Sequence, residues 1–324
     1  MVKYNTMATT TAPEEGILNP ESTRNPLTIA THNGVFHADD VFAVAALLLA
    51  YPDATVVRTR DPKVFAEADI VVDVGGEYNP TTRRFDHHQK GGAGIRHNGV
   101  PYAAFGLVWD TIGMSIVPEP SETARQHIAG IIDASLVQAI DASDNGFVLP
   151  GDVHNTPSYS ISQVISTMNP TWQDTTSFDE AFHAAVGAAR GLITLAIRSA
   201  AAEVAAETEV AEALDEASMG IVVLEKYVPW TDALLRLDGG RTKFILFPAE
   251  TGDWRIQAVP DAPGSFGMRY ALPEDWAGLR DAALVEKTGV PDAIFCHSGR
   301  FIAGAQTREG VATLALLALQ AHQS

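Results

Sequence analysis

Short apolar runs alternate with amphipathic segments along the first part of the chain, in the rhythm of a parallel sheet covered by helices. "PLTIAT" at residues 26–31 predicts a buried strand, "HNGVFHADD" a loop, and "VFAVAALLLA" at 41–50 a helix with Asp40 as its N-cap. "ATVVRTR" predicts a second strand, and "DPKVFAEA" a short helix in which Asp61 caps and Pro62 takes the first helical position. "DIVVDVGG" predicts a third strand, stopped by paired glycines. A β-α-β-α-β order with connections this short is the sequence form of an α/β layer. Farther on, Ile128, Ile131, Ile132, Leu136 and Ile140 recur at helical spacing over 122–140, and Asn145 and Gly146 supply a stop signal.

From 178 to 217 the chain turns Ala-rich and helical with almost no turn chemistry, the pattern of a long helix or helical pair between domains. Beyond it "GIVVLEKY", "TKFILFPAE" and "WRIQAVP" predict strands of a second, mixed sheet, closed by a helix over "TREGVATLALLALQAH". The expected organisation is a polar, aperiodic tail at 1–26, a first domain at 27–195, a linker helix at 196–219 and a smaller C-terminal α+β domain at 220–324.

Composition narrows the chemistry. The chain has 324 residues, 46% of them hydrophobic, enough for a large core. Lys and Arg total 22 against 40 Asp and Glu, a formal charge of −18, which disfavours non-specific duplex binding while leaving room for a phosphate substrate beside a bound cation. Cys296 is the single cysteine, so a disulfide framework and a thiolate zinc site are both excluded within one chain, and any metal must be held by His and carboxylates. The longest uninterrupted apolar run, 41–50, is too short to span a bilayer, and the N-terminus lacks a signal peptide's layout; the expectation is a soluble, cytoplasmic protein without a membrane partner.

Ligands of parallel sheets gather at the carboxyl ends of the strands. There the chain places His32, His37 and Asp39 after the first strand and Asp73 at the end of the third. Alternation in an extended segment would point His37 and Asp39 the same way, and Gly34 would let the chain fold back to bring His32 near. "RRFDHHQK" adds Asp86, His87 and His88, and "DASDNG" adds Asp141 or Asp144, which spacing does not separate, although Asp141 is favoured. An aspartate in an apolar strand is costly to bury without a compensating cation. Imidazoles and carboxylates in similar number suit Mn²⁺, Mg²⁺ or Zn²⁺, and could hold two ions of the kind that hydrolyse phosphoryl esters through an acidified water. One of the paired histidines would bind metal with its ring fixed by Asp86, and the other would ligate or meet the substrate phosphate. His97, His127, His154, His183 and His322 read as surface or helix-face residues.

Together "THNGVFHADD", "RTRDPKVF", "DIVVDVGGEYNPTTRRFDHHQ" and "IDASDNG" resemble successive motifs of the MYG1 family (UPF0160), a branch of the DHH phosphoesterase superfamily. "VPWTDALL", "LPEDWAGLRDAAL" and "SGRFIAGAQTREGVATLA" are similar to that family's C-terminal half, so the resemblance covers about residues 27–320. It implies a DHH-type parallel sheet covered by helices, a linker helix, and a C-terminal domain closing over the cleft. It also implies Mn²⁺-type metal dependence and a 3′ to 5′ exonuclease activity on single-stranded RNA or short oligonucleotides. The implied metal ligands are His32, His37, Asp39, Asp73, His87 and Asp141; Asp73, Asp86, His87 and His88 would be catalytic; His88, Arg300, Gly304 and Arg308 would meet substrate. His37 stands where such proteins more commonly carry Asp, and Ala303 and Gly304 stand where a Gly-Gly pair is expected. The acidic charge favours short substrates over long polymers. A pyrophosphatase or small-nucleotide phosphatase with the same metals, and a metal-stabilised regulatory protein without turnover, are the alternative readings; a homo-oligomer is compatible with each.

Overall fold

In the computed structural model, which describes residues 26–147 and 159–322, the first sheet is built around β1 (Thr28–Thr31). Helix α1 (Ala38–Ala50) returns the chain to β2 (Thr55–Arg58), and α2 (Pro62–Ala66) leads to β3 (Ile70–Val72). β1 pairs in parallel with both, Ile29 lying opposite Val56 on one side and Ile70 on the other. Two strands follow that the apolar pattern is too short to announce, β4 (Tyr78–Asn79) and β5 (Arg84–Phe85). β5 joins β3 in parallel and β4 lies antiparallel outside it, giving the order β2-β1-β3-β5-β4.

Helix α1 is buried on every side from Ala38 to Leu47, which is why it reads as an unbroken apolar run rather than a striped one. It begins at Ala38, three residues before the predicted start, with His37 in the N-cap position. Asp40 therefore sits in the first turn, and its Oδ1 accepts the His37 backbone N–H at 2.7 Å, as the acidic partner in a capping box does. Asp61 does cap α2, accepting from Lys63 N–H at 2.9 Å.

Next come α3 (Ala104–Ile112) and α4 (Glu122–Ile132); α4 continues through a π-turn at Asp133–Val137 into α5 (Gln138–Asp144), ended at Asn145. The helix expected over 122–140 is thus continuous but widened by one turn. After α6 (Ile161–Ser166), α7 runs unbroken from Phe178 to Asp215, 38 residues that span the expected border at 195/196. By length and composition α7 could cross a bilayer; here its Phe182, Ala185 and Ile193 join the first core while Val210 packs with Val222, Trp230 and Leu234.

The second sheet contains β6 (Ile221–Val223), then after α8 (Thr231–Leu237) β7 (Phe244–Pro248) and β8 (Trp254–Ala258). α9 (Asp281–Thr288) precedes β9 (Ala293–Cys296) and β10 (Ile302–Ala305), and α10 (Arg308–Ala321) closes the chain. The order is β6-β7-β8-β10-β9, with β6 parallel to β7 and the other pairs antiparallel, a mixed sheet as expected. Val311, Leu314, Ala315 and Ala318 of α10 bury against it. The tail residues 1–25 and His154 lie outside the described residues.

Candidate metal centre

The chain ends each of the parallel strands β1, β3 and β5 with a polar side chain, and all three meet. His32 follows β1, Asp73 follows β3, and Asp86, His87 and His88 follow β5. His37, Asp39 and Asp40 open α1, and Asp144 closes α5. They line, or lie beneath, an open cavity of about 710 Å³.

Asp73 is the hinge of this arrangement. Its backbone adopts φ 53°, a left-handed conformation uncommon outside glycine but accessible to Asp, and its N–H is fixed to Phe85 O at 3.0 Å. The carboxylate then faces two ways: Oδ2 lies 3.3 Å from His32 Nε2, while Oδ1 lies 3.5 Å from His87 Nε2 and 3.3 Å from His88 Nδ1. Around it, three groups could each enclose a cation: His32 with His37 and Asp40; Asp73 with His87 and His88; Asp39 with His87 and Asp144.

The other carboxylates serve scaffold and site together. Asp40 caps α1 with Oδ1 and turns Oδ2 to His32 at 3.3 Å. Asp39 accepts the Ala104 and Phe105 N–H groups at 2.9 and 2.6 Å, anchoring the start of α3, and still lies 3.8 Å from His87. Asp86 accepts from Gly76 N–H at 2.6 Å through Oδ2, and through Oδ1 from the His88 backbone at 3.0 Å, with the His88 ring nitrogen Nδ1 at 2.8 Å. Of the two histidines that the sequence leaves open to it, Asp86 therefore orients the exposed His88. With Nδ1 engaged, the Nε2 edge of His88 is left for a ligand.

The electrostatics are those of a site short of positive charge. Burial pushes Asp40 up to about 7, only partly offset by His32. Burial also raises Asp39 well above the usual range, and the Asp73, Asp144 and Asp141 carboxylates raise it further. His87 is the counterweight: burial opposes its charge, yet Asp144, Asp73 and Asp39 push it up to about 11. Asp73, although burial works the other way, is drawn down to about 2 by His32 and His87. Despite this crowding, Asp40 Oδ2, Asp73 Oδ1 and His87 Nε2 are buried without a hydrogen bond of proper geometry. Buried polar atoms are ordinarily satisfied, and three orphans converging in one His/carboxylate cluster fit divalent cations of the hard or borderline class.

The structure separates Asp141 from Asp144. Asp141 points away from the three groups: Oδ2 accepts from Arg96 Nη1 at 2.7 Å and Oδ1 from Gly106 N–H at 3.0 Å. Arg96 also reaches Asp133 in the π-turn at 2.8 Å, so Asp141 is tied into a buried scaffold pair while Asp144 lies 3.2 Å from His87. His37 and Asp39 also part company. Because residues 38–40 are helical, His37 shares its side with Asp40, three residues on, and Asp39 turns to the other group.

Arg300, Gly304 and Arg308 lie on the second sheet's side and none lines the cavity. Arg300 occupies the β9–β10 turn at φ 59°. A Cβ on Gly304 would meet the Phe295 ring at 2.8 Å, so its lack of a side chain serves packing beside β9; Ala303 next to it is fully buried. Arg308 pairs with Glu225 at 2.8 Å and lies 5.6 Å over Trp254. His97, His127, His183 and His322 are exposed, as read from the sequence. The residues that sequence reasoning left out are Asp40, whose DD neighbour was the only signal, and Arg60, which lines the cavity.

Comparison with known proteins adds a family. The model of the family described as "Uncharacterised protein family (UPF0160)", MYG1_exonuc, matches residues 28–319. The chain is similar to the MYG1 exonuclease of Homo sapiens, 34% identical over 93% of this chain and 89% of that protein, and to that of Mus musculus, 34% identical over 90% and 84%. A MYG1 protein of Saccharomyces cerevisiae is 35% identical over 90% of this chain and 95% of its own length.

Proposed function

Because the chain belongs to the MYG1 (UPF0160) family, we propose that it is a metal-dependent phosphodiesterase of the DHH type. We take it to remove nucleotides from the 3′ end of single-stranded RNA or short oligonucleotides. The observation that carries this reading is Asp73, whose two oxygens face separate histidine groups in an open cavity while buried atoms around it lack partners. The relatives named exonucleases support the nucleic-acid substrate.

His32, His37 and Asp40 would hold one cation and Asp39, His87 and Asp144 a second, with Asp73 shared; Mn²⁺ is the ion we favour, with Mg²⁺ or Zn²⁺ as substitutes. When bound, such ions supply a water of lowered pKa and neutralise charge on the phosphoryl oxygens. The chain's own contribution is positional. Asp86 holds the His88 ring by Nδ1 at the rim, so that an Nε2–H can donate to a phosphate oxygen. The N–H groups of α3 hold Asp39, and the His37 N–H holds Asp40, so their free oxygen edges stay in place when the cluster changes charge. Arg96 ties Asp133 of the π-turn to Asp141 of α5, which holds the helix one turn before Asp144.

The test is product analysis after incubating Mn²⁺-loaded protein with 5′-labelled single-stranded RNA, its DNA counterpart, a dinucleotide and pyrophosphate in parallel. A ladder of labelled fragments shortening from the 3′ end, with mononucleotides released, is the expected result. Phosphate released from pyrophosphate beside intact RNA would move the protein to the phosphatase reading.

A further inference from the structure

The cavity of the metal centre presents the carboxylates of Asp39, Asp73, Asp86 and Asp144 to whatever enters it. A bound cation would offset part of that field, and an anionic substrate needs further positive charge at the rim. Among the described residues lining the cavity, Arg60 is the one lysine or arginine. It belongs to "RTRDPKVF", a motif whose two arginines fold into different surroundings.

Arg58 is tied to the scaffold through both of its Nη groups. Its guanidinium donates to Gly34 O and Asp179, both at 2.8 Å, and stacks 4.3 Å from the Phe182 ring, pinning the loop that carries His32 and His37. Arg60, two residues on, is exposed, and its side chain makes no ion pair or hydrogen bond among the described residues. Its backbone is nevertheless held on both sides. Thr59 N–H donates to Thr31 O at 2.7 Å, extending the β1–β2 pairing, and Asp61 N–H donates to Thr59 Oγ1 at 3.0 Å before capping α2. Since Thr31 is paired with Arg58, this register sets Arg60 at the strand edge just beyond His32. A fixed Cα with a free guanidinium facing a cavity is the form of a ligand contact rather than of a fold contact.

We propose that Arg60 is the substrate-positioning residue of this centre, its guanidinium fork gripping a non-scissile phosphate of a single-stranded oligonucleotide at the cavity rim. The proposal rests on the phosphodiesterase reading above and adds the residue that orients the strand. It also moves the phosphate contact expected of Arg308 into the first sheet, because Arg308 is paired with Glu225 and lies outside the cavity.

The test is fluorescence anisotropy of Mn²⁺-loaded full-length protein with a fluorescein-labelled single-stranded RNA octamer bearing phosphorothioate linkages, over a series of KCl concentrations. Arg60→Ala and Arg60→Gln are expected to weaken binding at least about tenfold and to reduce the salt slope by about 0.7, the value of one single-strand phosphate contact. Arg60→Lys should fall between, keeping charge without the fork. Mn²⁺ affinity by calorimetry and the melting temperature should match wild type in all three. Unchanged RNA affinity and salt slope in Arg60→Ala would overturn the proposal, as would a loss of Mn²⁺ binding or stability that accounts for the weakened RNA binding. No RNA binding by wild type would overturn it together with the nuclease reading. Wild-type protein that leaves unmodified RNA intact refutes only the nuclease reading, since the affinity difference is read without turnover.

Discussion

Replacing Asp141 and Asp144 singly by alanine sets the scaffold against the site. Asp141 is fully buried, and its two oxygens serve Arg96 at 2.7 Å and the Gly106 N–H at 3.0 Å. Its removal leaves a guanidinium that is 4% exposed with Asp133 as its remaining carboxylate partner. Breaking a buried pair by deleting one member costs about 3–5 kcal/mol, of which the stranded Gly106 N–H is a part. Against a total stability on the order of 5–15 kcal/mol, that is a large share. Asp144 is more exposed, and its site partner His87, at 3.2 Å, keeps Asp73 and Asp39 as carboxylate neighbours; Asp144→Ala should cost metal-free stability less than Asp141→Ala does. Urea unfolding in the presence of EDTA measures both, and calorimetric titration with Mn²⁺ measures what each does to the centre. The expected pattern is a destabilised Asp141→Ala and a stable Asp144→Ala with weakened metal binding. A fully stable Asp141→Ala that fails to bind Mn²⁺, beside an Asp144→Ala that binds normally, would refute the assignment.

Two further outcomes follow from the same geometry. A Cβ on Gly106 would lie 1.9 Å from Asp141 Oδ2 and 2.7 Å from Arg96 Nη2, so Gly106→Ala should destabilise by several kcal/mol, roughly the range for breaking the buried pair, read as a lowered urea midpoint. In metal-free protein, Asp40 at about 7 and Asp141 at about 6 keep protons that the unfolded chain releases near 3.8, so stability should fall as pH rises from about 4 to 7. His87, at about 11 against 6.5 unfolded, continues that loss above neutrality, whereas the low value of Asp73 acts only below the tested range. Melting in EDTA at pH 5 and pH 8 should give the lower temperature at pH 8, and the upward shift on adding Mn²⁺ should grow with pH because the metal displaces protons. A metal-free melting temperature that climbs from pH 5 to 8 would count against these protonation states.

What the sequence made legible is local. His32 and Asp73 stand out because each ends a buried apolar strand, where an imidazole or carboxylate has few packing explanations, and His87 stands out by its place in the Asp86-His87-His88 run. Asp40 was hidden by its adjacency to Asp39: read as a cap, it leaves the site, and only the earlier start of α1 places it beside His37. Asp141 and Asp144 are three residues apart in one helix, and what divides them is Arg96, 45 residues from Asp141 in sequence and visible only after folding. The same holds for Arg58 and Arg60, neighbours in one motif whose fates diverge through Asp179 and Phe182 on α7. The strands β4 and β5, two residues each, carry too little pattern to be read, yet β5 delivers Asp86, His87 and His88.

Anomalous diffraction at the manganese edge from crystals grown with Mn²⁺ locates the ions themselves. Anomalous density is expected in contact with Asp73, between the His32, His37 and Asp40 group and the Asp39, His87 and Asp144 group, and should disappear in Asp73→Ala. Manganese density elsewhere on the chain, with Asp73 and its histidines left unliganded at saturating Mn²⁺, would contradict this placement.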